Sequence, residues 1–312
     1  MKPAPARGPA APGIRFTSLQ KPLWPAAGGP ILKAEYLSYL RAVAPAALPH
    51  MRGRPLVLTR YPHGAGRASF YQKNLPPSAP PWLPRFGTVT GAGRRIQYIV
   101  PQTVDDLLWV GQQCALEFHP WLSRVEAPGL PDRAVIDLDP MAPAGFEEAR
   151  AVARAVGRLL CSAGVRGWLK TSGATGLHVF IPVRPERPYA EVSAGIRSVG
   201  QLLQRLMPDL VSLERSRERR GPRVYFDYPQ NGSGKTLCGA YSPRPLPGAP
   251  VSLPIGWPEL DAVRPGDWTV RTVPERLVRQ GDAWADLPGA PYQELDVLRA
   301  FCEATLAGRH TP

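Results

Sequence analysis

The stretch Ala134-Val135-Ile136-Asp137-Leu138-Asp139-Pro140 places two acidic residues, one position apart, inside an apolar run. Such a run predicts a buried β-strand, in which side chains alternate between faces, so Asp137 and Asp139 should point the same way. Two uncompensated carboxylates on a buried strand are costly, which predicts a positive partner. Mg²⁺ or Mn²⁺ is the obvious candidate, because both ions prefer carboxylate oxygens. The alternative is a turn started by the Asp before Pro140, and this stretch alone does not decide.

A third acidic residue belongs to a second predicted strand. The segment Arg223-Val224-Tyr225-Phe226-Asp227-Tyr228 alternates and is rich in β-forming residues, with Asp227 near its end. Two carboxylates on one strand and one on another form a cradle for two divalent ions, which serves in-line phosphoryl transfer. Taken alone, Asp227 fits better as the start of a turn before Pro229.

A predicted hairpin lies between these two strands. Residues 167–172 and 177–183 are predicted strands, and they are joined by the glycine-bearing turn 173–176. This hairpin should bring Lys170, Ser172 and His178 to one end. The Ser172 hydroxyl, the amides of the turn and the His178 ring are all groups that suit a triphosphate. A lone histidine after such a turn is more often structural, but its place between two acid-bearing strands favours function.

Three short motifs occur in a telling order: Asp-Leu-Asp-Pro at 137–140, Ser-Gly-Ala-Thr-Gly-Leu-His at 172–178 and Tyr-Phe-Asp-Tyr at 225–228. They resemble the three motifs of archaeo-eukaryotic primase-type polymerases. The chain is more similar still to the polymerase domain of the bacterial end-joining ligase LigD. Further stretches agree, among them Lys21-Pro22-Leu23-Trp24-Pro25, Leu116-Glu117-Phe118-His119 and Tyr241-Ser242-Pro243-Arg244. The combination is specific, although each short motif alone would be weak.

The resemblance implies roles at the reaction centre and around the nucleotide. Asp137, Asp139 and Asp227 would be catalytic and would hold two ions, Mn²⁺ or Mg²⁺. The residues that would contact the triphosphate or lie beside the metal site are Ser172, His178, Arg244, Lys235 and Arg220.

The resemblance also implies contacts to sugar, base and DNA. His119 would lie near the sugar and favour its 2′-hydroxyl, and Phe70 or Tyr71 would stack on the base. Because neighbours on a strand face opposite ways, one of these two rings should be core. Lys21 and Lys33 would bind the 5′-phosphate of a recessed DNA end, although residues 26–30 lengthen the spacing between them.

The implied fold is α/β (α+β), a primase-like catalytic core of mixed, largely antiparallel sheets flanked by helices, with its active site in a basic cleft. The implied activity is metal-dependent, template-directed addition of nucleotides, preferably ribonucleotides, to 3′ ends in gap filling or end processing during non-homologous end joining. Family members cooperate with Ku. No lysine motif of the kind that accepts adenylate is present, so we expect a stand-alone polymerase whose ligation comes from a separate DNA ligase.

Two other functions remain open at this point. One is a stand-alone primase that starts chains without a primer. The other is a non-catalytic module that binds 5′-phosphorylated ends and bridges them. A third candidate, a P-loop ATPase suggested by Asn231-Gly232-Ser233-Gly234-Lys235-Thr236, fails because Pro229 stands where the motif needs its first glycine. The prolines that follow also exclude the helix that a P-loop requires.

Composition points to a polyanionic partner. The 312 residues include 38 Lys and Arg against 25 Asp and Glu, which gives a formal charge of +13. Such an excess favours nucleic acid, bound in a salt-dependent way. The four cysteines are scattered and predict neither a zinc site nor a disulfide framework.

The termini and the periodicity complete the prediction. Residues 1–13 look like a flexible tail that is neither signal peptide nor membrane span, and 14–312 like a single domain. We therefore expect a cytoplasmic, nucleoid-associated protein without membrane contact. Helices are predicted at 31–44, 104–115, 146–162, 189–206 and 295–306, and further strands at 55–61, 69–73 and 95–100. Residues 82–94 are predicted as a loop, matching a family loop that brings DNA ends together, and 243–265 as a proline-rich surface segment.

Overall fold

The computed structural model describes residues 13–89 and 93–308, so the predicted tail at 1–13 lies almost wholly outside the described residues. The strands in these ranges are β1 (Pro22–Trp24), β2 (Ile31–Leu32), β3 (Leu56–Arg60), β4 (Phe70–Gln72), β5 (Arg85–Val89), β6 (Arg95–Ile99), β7 (Ala115–Pro120), β8 (Arg133–Pro140), β9 (Trp168–Thr171), β10 (Leu177–Pro182), β11 (Val211–Ser212), β12 (Val224–Phe226), β13 (Ser242–Pro243), β14 (Val251–Ser252) and β15 (Pro254–Ile255). The helices are α1 (Lys33–Met51), α2 (Val104–Gln112), α3 (Phe146–Ser162), α4 (Tyr189–Leu206), α5 (Arg217–Arg220), α6 (Val273–Gln280) and α7 (Leu295–Leu306).

The chain packs as two compact units. Unit 1 consists of the residues up to Glu126 together with Thr236–Leu253 and Gly266–Ala285, and unit 2 of Ala127–Lys235, Pro254–Pro265 and the residues from Asp286 on. Both units are mixed α/β with mainly antiparallel sheets and packed helices, which confirms the predicted fold class. A division into packing units does not decide whether 14–312 is one domain, so that statement stays a prediction.

Unit 1 is built on a sheet whose central strand is β3. Strand β7 pairs with one edge of β3, while β4 and β6 share the other edge and β5 lies beyond β6. All these pairs are antiparallel. Helix α1 packs on α2 at Gly111, where an added Cβ would lie only 2.4 Å from the Leu40 side chain. A side chain larger than glycine would therefore push the two helices apart.

Two predictions in unit 1 need correction. Helix α1 does not stop at Ala44 but continues through Pro45 and Pro49 to Met51, because the buried side chains of its last turns hold it in place despite the lost hydrogen bonds. The predicted loop 82–94 contains β5, which pairs with β6 along its whole length. Residues 90–92 of that segment lie outside the described residues, and its role in joining DNA ends stays a prediction.

The predicted surface segment 243–265 lies only partly at the surface, which is the third correction, because residues 249–255 are buried. It contains β13, β14 and β15, and apolar residues in and beside these strands are buried. They are Ala249, Val251, Leu253 and Ile255. Prolines at strand ends and edges are compatible with strand pairing, so a high proline content does not by itself indicate a surface loop.

Unit 2 is built on a six-stranded sheet with the order β11-β12-β8-β10-β9-β15, in which only the β11–β12 pair is parallel. Helices α3 and α4 pack against β8, and α7 packs against α4. The bounds of all three helices agree with the predictions, because their apolar residues recur at helical spacing over 12 or more residues. Within the two described ranges, we find no helix with the length and apolarity needed to cross a membrane.

Candidate active site

Three acidic side chains lie close together in the unit 2 sheet, two on the inner strand β8 and one directly after its neighbour β12. Strand β8 runs between β10 and β12, with Asp137 opposite His178 and Asp139 opposite Tyr225. The regular pairing of β8 confirms that Asp137 and Asp139 share a face, as the alternation predicted. Asp227 directly follows β12, and its backbone N–H donates to the carbonyl of Asp137 at 2.9 Å. The fold therefore gathers the three predicted carboxylates on neighbouring strands.

The loop after Asp227 is hydrogen-bonded to strand β8. The buried Asn231 side chain accepts from the backbone N–H of Val135 at 2.8 Å and donates to the carbonyl of Val135 at 2.7 Å. This amide completes the edge of β8 beyond the end of β12, as another strand would. Asp227 is therefore held from both sides, by its own N–H and by Asn231 four residues later.

The surroundings of Asp227 carry opposing charges. Burial raises the pKa of Asp227, and the negative charge of Asp139 adds to this, although Lys235, Tyr225 and Arg220 act in the opposite direction. The pKa of Tyr225 rises to about 12, first through burial and then through the charge of Asp227, to which its hydroxyl is hydrogen-bonded. Like charges this close favour the uptake of a proton or a cation.

Arg220 is fixed beside this acidic cluster. Its guanidinium carbon lies 3.5 Å from the centre of the Tyr225 ring, and its N–H groups donate to the carbonyls of Glu214 and Arg215 at 2.8 and 3.0 Å. Arg220 is buried, whereas its neighbours Arg215, Arg217, Arg219 and Arg223 are not. The structure thus places Arg220 next to the predicted metal site, with its planar group stacked on an aromatic face.

The predicted hairpin β9–β10 forms the other side of the site. His178 is buried, and its Nε2 lies 3.3 Å from Oδ1 of Asp137. Gly176 must remain glycine, because an added Cβ would lie 2.4 Å from the carbonyl oxygen of Leu138 on β8. Close approach of the turn to β8 is what brings His178 to the first aspartate.

The register confirms that Lys170 lies opposite His178, as expected, but Lys170 and two of the turn amides are engaged within the hairpin. The amides of Ala174 and Gly176 are engaged within the turn, since both donate to Oγ of Ser172 at 3.1 and 3.0 Å. Lys170 is fully buried and donates to the carbonyl of Thr171, so it does not reach the surface beside Ser172. Ser172 and His178 remain the polar side chains that this end of the hairpin can present.

The donor set of unit 2 fits hard divalent cations, although it is not a closed metal centre. Among residues 13–89 and 93–308, no group of three His, Cys, Asp or Glu side chains stands in a ready coordination geometry. The three aspartates nevertheless supply only oxygen ligands from adjacent strands, with Asp137 half-buried and Asp139 exposed. Oxygen ligands of this kind suit Mg²⁺ and Mn²⁺.

A second polar cluster lies on one face of the unit 1 sheet. Thr59 on β3 stands opposite Tyr71 on β4 and opposite Glu117 on β7. His119, two positions after Glu117, shares that face, with Nε2 3.0 Å from the Thr59 hydroxyl and its ring centre 5.4 Å from that of Tyr71. We call Thr59, Tyr61, Tyr71, Glu117, His119 and Arg244 the unit 1 polar cluster.

The geometry separates the two candidate stacking residues. Tyr71 lies on the His119 face, whereas Phe70 lies on the opposite face beneath the Arg60 guanidinium, 5.1 Å from its ring centre. Both rings are exposed, so the expectation that one of them is core is wrong. The short edge strand β4 has too few covering neighbours to bury either ring. Tyr71, not Phe70, is therefore the aromatic residue on the same face of the sheet as His119.

Three residues of the unit 1 polar cluster, Thr59, Tyr61 and Glu117, escaped the sequence prediction. Glu117 is buried, with Oε1 3.0 Å from Nε of Arg244 and Oε2 accepting from the Tyr61 hydroxyl at 3.2 Å. Burial, followed by the charge of Glu117, raises the pKa of Tyr61 to about 12. The signal was present, since Glu117 and His119 alternate on an apolar strand as Asp137 and Asp139 do.

The two predicted phosphate-binding lysines are brought together. Lys21 and Lys33 flank the β1–β2 hairpin, and the N–H of Lys33 donates to the carbonyl of Lys21 at 2.9 Å. The extra residues 26–30 fall in the connection between β1 and β2, so the lengthened spacing does not separate the pair. Burial lowers the pKa of Lys33, and the positive charge of Lys21 adds to this effect.

Comparison with known proteins gives a consistent answer. The family model for the LigD primase-polymerase domain matches residues 32–284. The chain is 32% identical over 288 residues to the "Bifunctional non-homologous end joining protein LigD" of Bacillus subtilis, covering 92% of this chain and 46% of that protein. It is 32% identical over 303 residues to the "Multifunctional non-homologous end joining protein LigD" of Mycolicibacterium smegmatis, covering 96% of this chain and 39% of that one.

The fold comparison agrees with the sequence comparison. A solved structure described as "Polymerase Domain from Mycobacterium tuberculosis Ligase D in complex with DNA" superposes with a TM-score of 0.81 at 33% identity, covering 89% of this chain and 99% of that one. The chain spans less than half the length of the two curated relatives. By family model, sequence and fold, the chain belongs to the LigD primase-polymerase domain family.

Proposed function

We propose that this chain adds nucleotides, preferably ribonucleotides, to 3′ ends at gapped or broken DNA under the direction of a template strand. The observation that carries the proposal is the gathering of Asp137, Asp139 and Asp227 on adjacent strands of unit 2, beside His178 and Arg220. The reaction joins the primer 3′ oxygen to the α-phosphorus of a nucleoside triphosphate and releases pyrophosphate. Its transition state carries negative charge, which cationic groups stabilise.

The residues of unit 2 would hold the reacting phosphates and the ions. Two Mn²⁺ or Mg²⁺ ions on the three aspartates would supply activation of the 3′-hydroxyl and neutralisation of the leaving group. Ser172 and His178, at the end of the β9–β10 hairpin, would donate to phosphate oxygens. Lys235 and Arg220 bring positive charge close enough to Asp227 to lower its pKa against the effect of burial.

The unit 1 polar cluster would bind the rest of the nucleotide. Arg244 offers a planar fork for the triphosphate, and His119 a ring nitrogen for the sugar, where contact with the 2′-hydroxyl would favour ribonucleotides. Tyr71 is the exposed ring on that face, and it would stack on the base. Thr59 would hold the His119 ring through its hydroxyl.

The DNA partner would be recognised through its phosphates. Lys21 and Lys33, whose backbones are hydrogen-bonded to each other, would bind a terminal 5′-phosphate, and the formal charge of +13 favours the rest of the duplex. A relative was solved in complex with DNA, which supports this partner. End joining at the nucleoid in the cytoplasm would further involve Ku and a DNA ligase.

The test is incorporation into a gapped duplex that carries a recessed 5′-phosphate, with Mn²⁺ and either ribo- or deoxynucleotides. Wild-type protein should extend the primer according to the template, faster with ribonucleotides. The Asp137→Ala, Asp139→Ala double variant should be inactive. Asp261→Ala is the matched control, because Asp261 is an exposed aspartate of unit 2, and it should extend normally.

Two outcomes would replace the proposal. Extension on an unprimed template that equals extension on the gapped duplex would indicate a primase. No extension by the wild type, together with binding that still depends on the 5′-phosphate, would indicate a module that bridges DNA ends.

A further inference from the structure

The acid Glu117 is unusual in its position. Strand β7 is otherwise apolar up to His119, with Ala115, Leu116 and Phe118 all at 1% exposure or less. A carboxylate inside such a strand is costly unless it is compensated. Glu117 is compensated by two groups that do not belong to its own strand, the guanidinium of Arg244 and the hydroxyl of Tyr61.

The fold places Arg244 against Glu117 by a backbone arrangement. Strand β13 packs on β7, where the N–H of Phe118 donates to Oγ of Ser242 at 2.9 Å and the N–H of Gly239 donates to the carbonyl of Phe118 at 2.8 Å. Arg244 follows β13 at once, and its N–H donates to the carbonyl of Pro250 at 2.8 Å. The main chain of Arg244 is thus fixed, and its long side chain is the part that needs orientation.

Glu117 contributes to that orientation. Its Oε1 forms an ion pair at 3.0 Å with Nε, the inner nitrogen of the guanidinium, and the Cys238 side chain is a further hydrogen-bond partner of Arg244. About a quarter of the Arg244 side chain is exposed (26%), whereas that of Glu117 is almost fully covered (8%). Tyr61 holds the other carboxylate oxygen, and Oε2 of Glu117 stands 4.0 Å from Nε2 of His119. A buried acid thus orients an arginine that reaches the surface.

We propose that Glu117 is a positioning residue for nucleotide binding, which aims the Arg244 guanidinium at the triphosphate and is itself held by Tyr61. This inference rests on the proposed function. Glu117 contacts no substrate in this scheme. Its effect passes through Arg244, so it concerns the phosphates that ribo- and deoxynucleotides have in common.

The test is the Glu117→Gln variant, which keeps the shape of the side chain and an acceptor for Tyr61 but loses the charge. We expect KM for ATP and for dATP to rise by the same factor, about tenfold, while kcat changes by less than about threefold. Affinity for gapped DNA should stay that of the wild type, and both KM values are compared at a temperature at which the variant, which has lost a buried ion pair, is still folded. Glu275→Gln, at an exposed glutamate of α6 in the same unit, is the matched control and should leave both KM values unchanged.

Two further variants keep the test decisive. Tyr61→Phe removes the hydroxyl that holds Glu117, and should raise both KM values by about threefold. If Glu117→Gln fails to fold, Glu117→Asp takes its place, because the shorter acid cannot keep both contacts and should also raise both KM values. Unchanged KM values, or a change for only one of the two sugars, would overturn the inference. Absence of incorporation by the wild type would overturn the proposed function and this inference with it.

Discussion

Asp227 in unit 2 and Asp282 in unit 1 are both partly buried, yet their pKa values shift in opposite directions. Burial alone would raise the pKa of Asp282, but hydrogen bonds from His50 and Tyr241, and from the N–H of Trp284, hold it below its ordinary value. Burial and the charge of Asp139 raise the pKa of Asp227, despite its cationic neighbours.

We propose that this difference separates a structural acid, Asp282, from an acid that serves the reaction, Asp227. The donors around Asp282 come from α1, from the segment before β13 and from the segment after α6, so the carboxylate joins three parts of unit 1. Around Asp227, burial and the Asp139 carboxylate raise the pKa more than Lys235, Tyr225 and Arg220 lower it, so added positive charge would be favourable there. The comparison predicts that loss of the first acid costs stability, and that loss of the others costs activity.

The largest effect should come from the paired variant Asp137→Asn, Asp139→Asn. Loss of the charges that would hold the ions should lower incorporation by about a thousandfold or more, since such ions contribute several kcal/mol to transition-state stability. Removal of like charges should leave the melting temperature unchanged or raise it. Calorimetry beside the primer-extension assay measures both. A marked loss of stability would mean that Asp137 and Asp139 are structural, and would contradict the distinction between them and Asp282.

The second effect should come from Asp282→Ala. Removing this carboxylate leaves His50 and Tyr241 buried with a lost partner, which should lower the free energy of unfolding by about 3 kcal/mol. Chemical denaturation followed by tryptophan fluorescence measures the loss, because Trp284 packs edge-on against His50. Incorporation should remain near that of the wild type at temperatures where the variant is folded. Inactivity of the folded variant would contradict the assignment.

A matched pair of tyrosine variants sharpens the comparison further. Tyr241→Phe removes a donor to Asp282 and should lower the free energy of unfolding by about 1–2 kcal/mol. Tyr225→Phe removes the hydroxyl at Asp227 and should change the free energy of unfolding by less than about 0.5 kcal/mol, while it slows incorporation. Each variant is the control of the other. Equal losses of stability in both variants would show that the clusters around Asp282 and Asp227 are both structural.

The smallest effect is the pH dependence of the Asp282 cluster. The folded pKa of Asp282 lies below its ordinary value of 3.8, so its contribution to stability is fully present above that value and disappears as the pH falls through the folded pKa. Melting temperatures of the wild type and Asp282→Asn, measured between about pH 6 and about pH 3, should converge at the acid end. A difference that stays constant over this range would contradict the low pKa.

The sequence predicted those features that depend on local pattern. Helices α3, α4 and α7 begin and end as predicted, because their apolar spacing is long and uninterrupted. The alternation in β8 correctly placed Asp137 beside Asp139 on one face. The tight turn between β9 and β10 followed from its glycines, although its amides turned out to be used by Ser172.

What the sequence did not show depends on contacts between distant segments. Glu117 and Arg244 are 127 positions apart, and only the packing of β13 on β7 brings them together. The choice of Tyr71 over Phe70 required the register of β4 on β3. Helix α1 passes through two prolines because tertiary packing outweighs local preference there.

The most direct test of the central claim is Mn²⁺ binding followed by the electron paramagnetic resonance signal of free Mn²⁺, with and without a nucleoside triphosphate. The wild type should remove Mn²⁺ from solution, most strongly with the nucleotide present, and the Asp282→Asn variant should do the same. The Asp137→Asn, Asp139→Asn variant should leave the free signal at the level of protein-free buffer with nucleotide. Wild-type binding by that double variant would contradict the claim that these aspartates form the metal site.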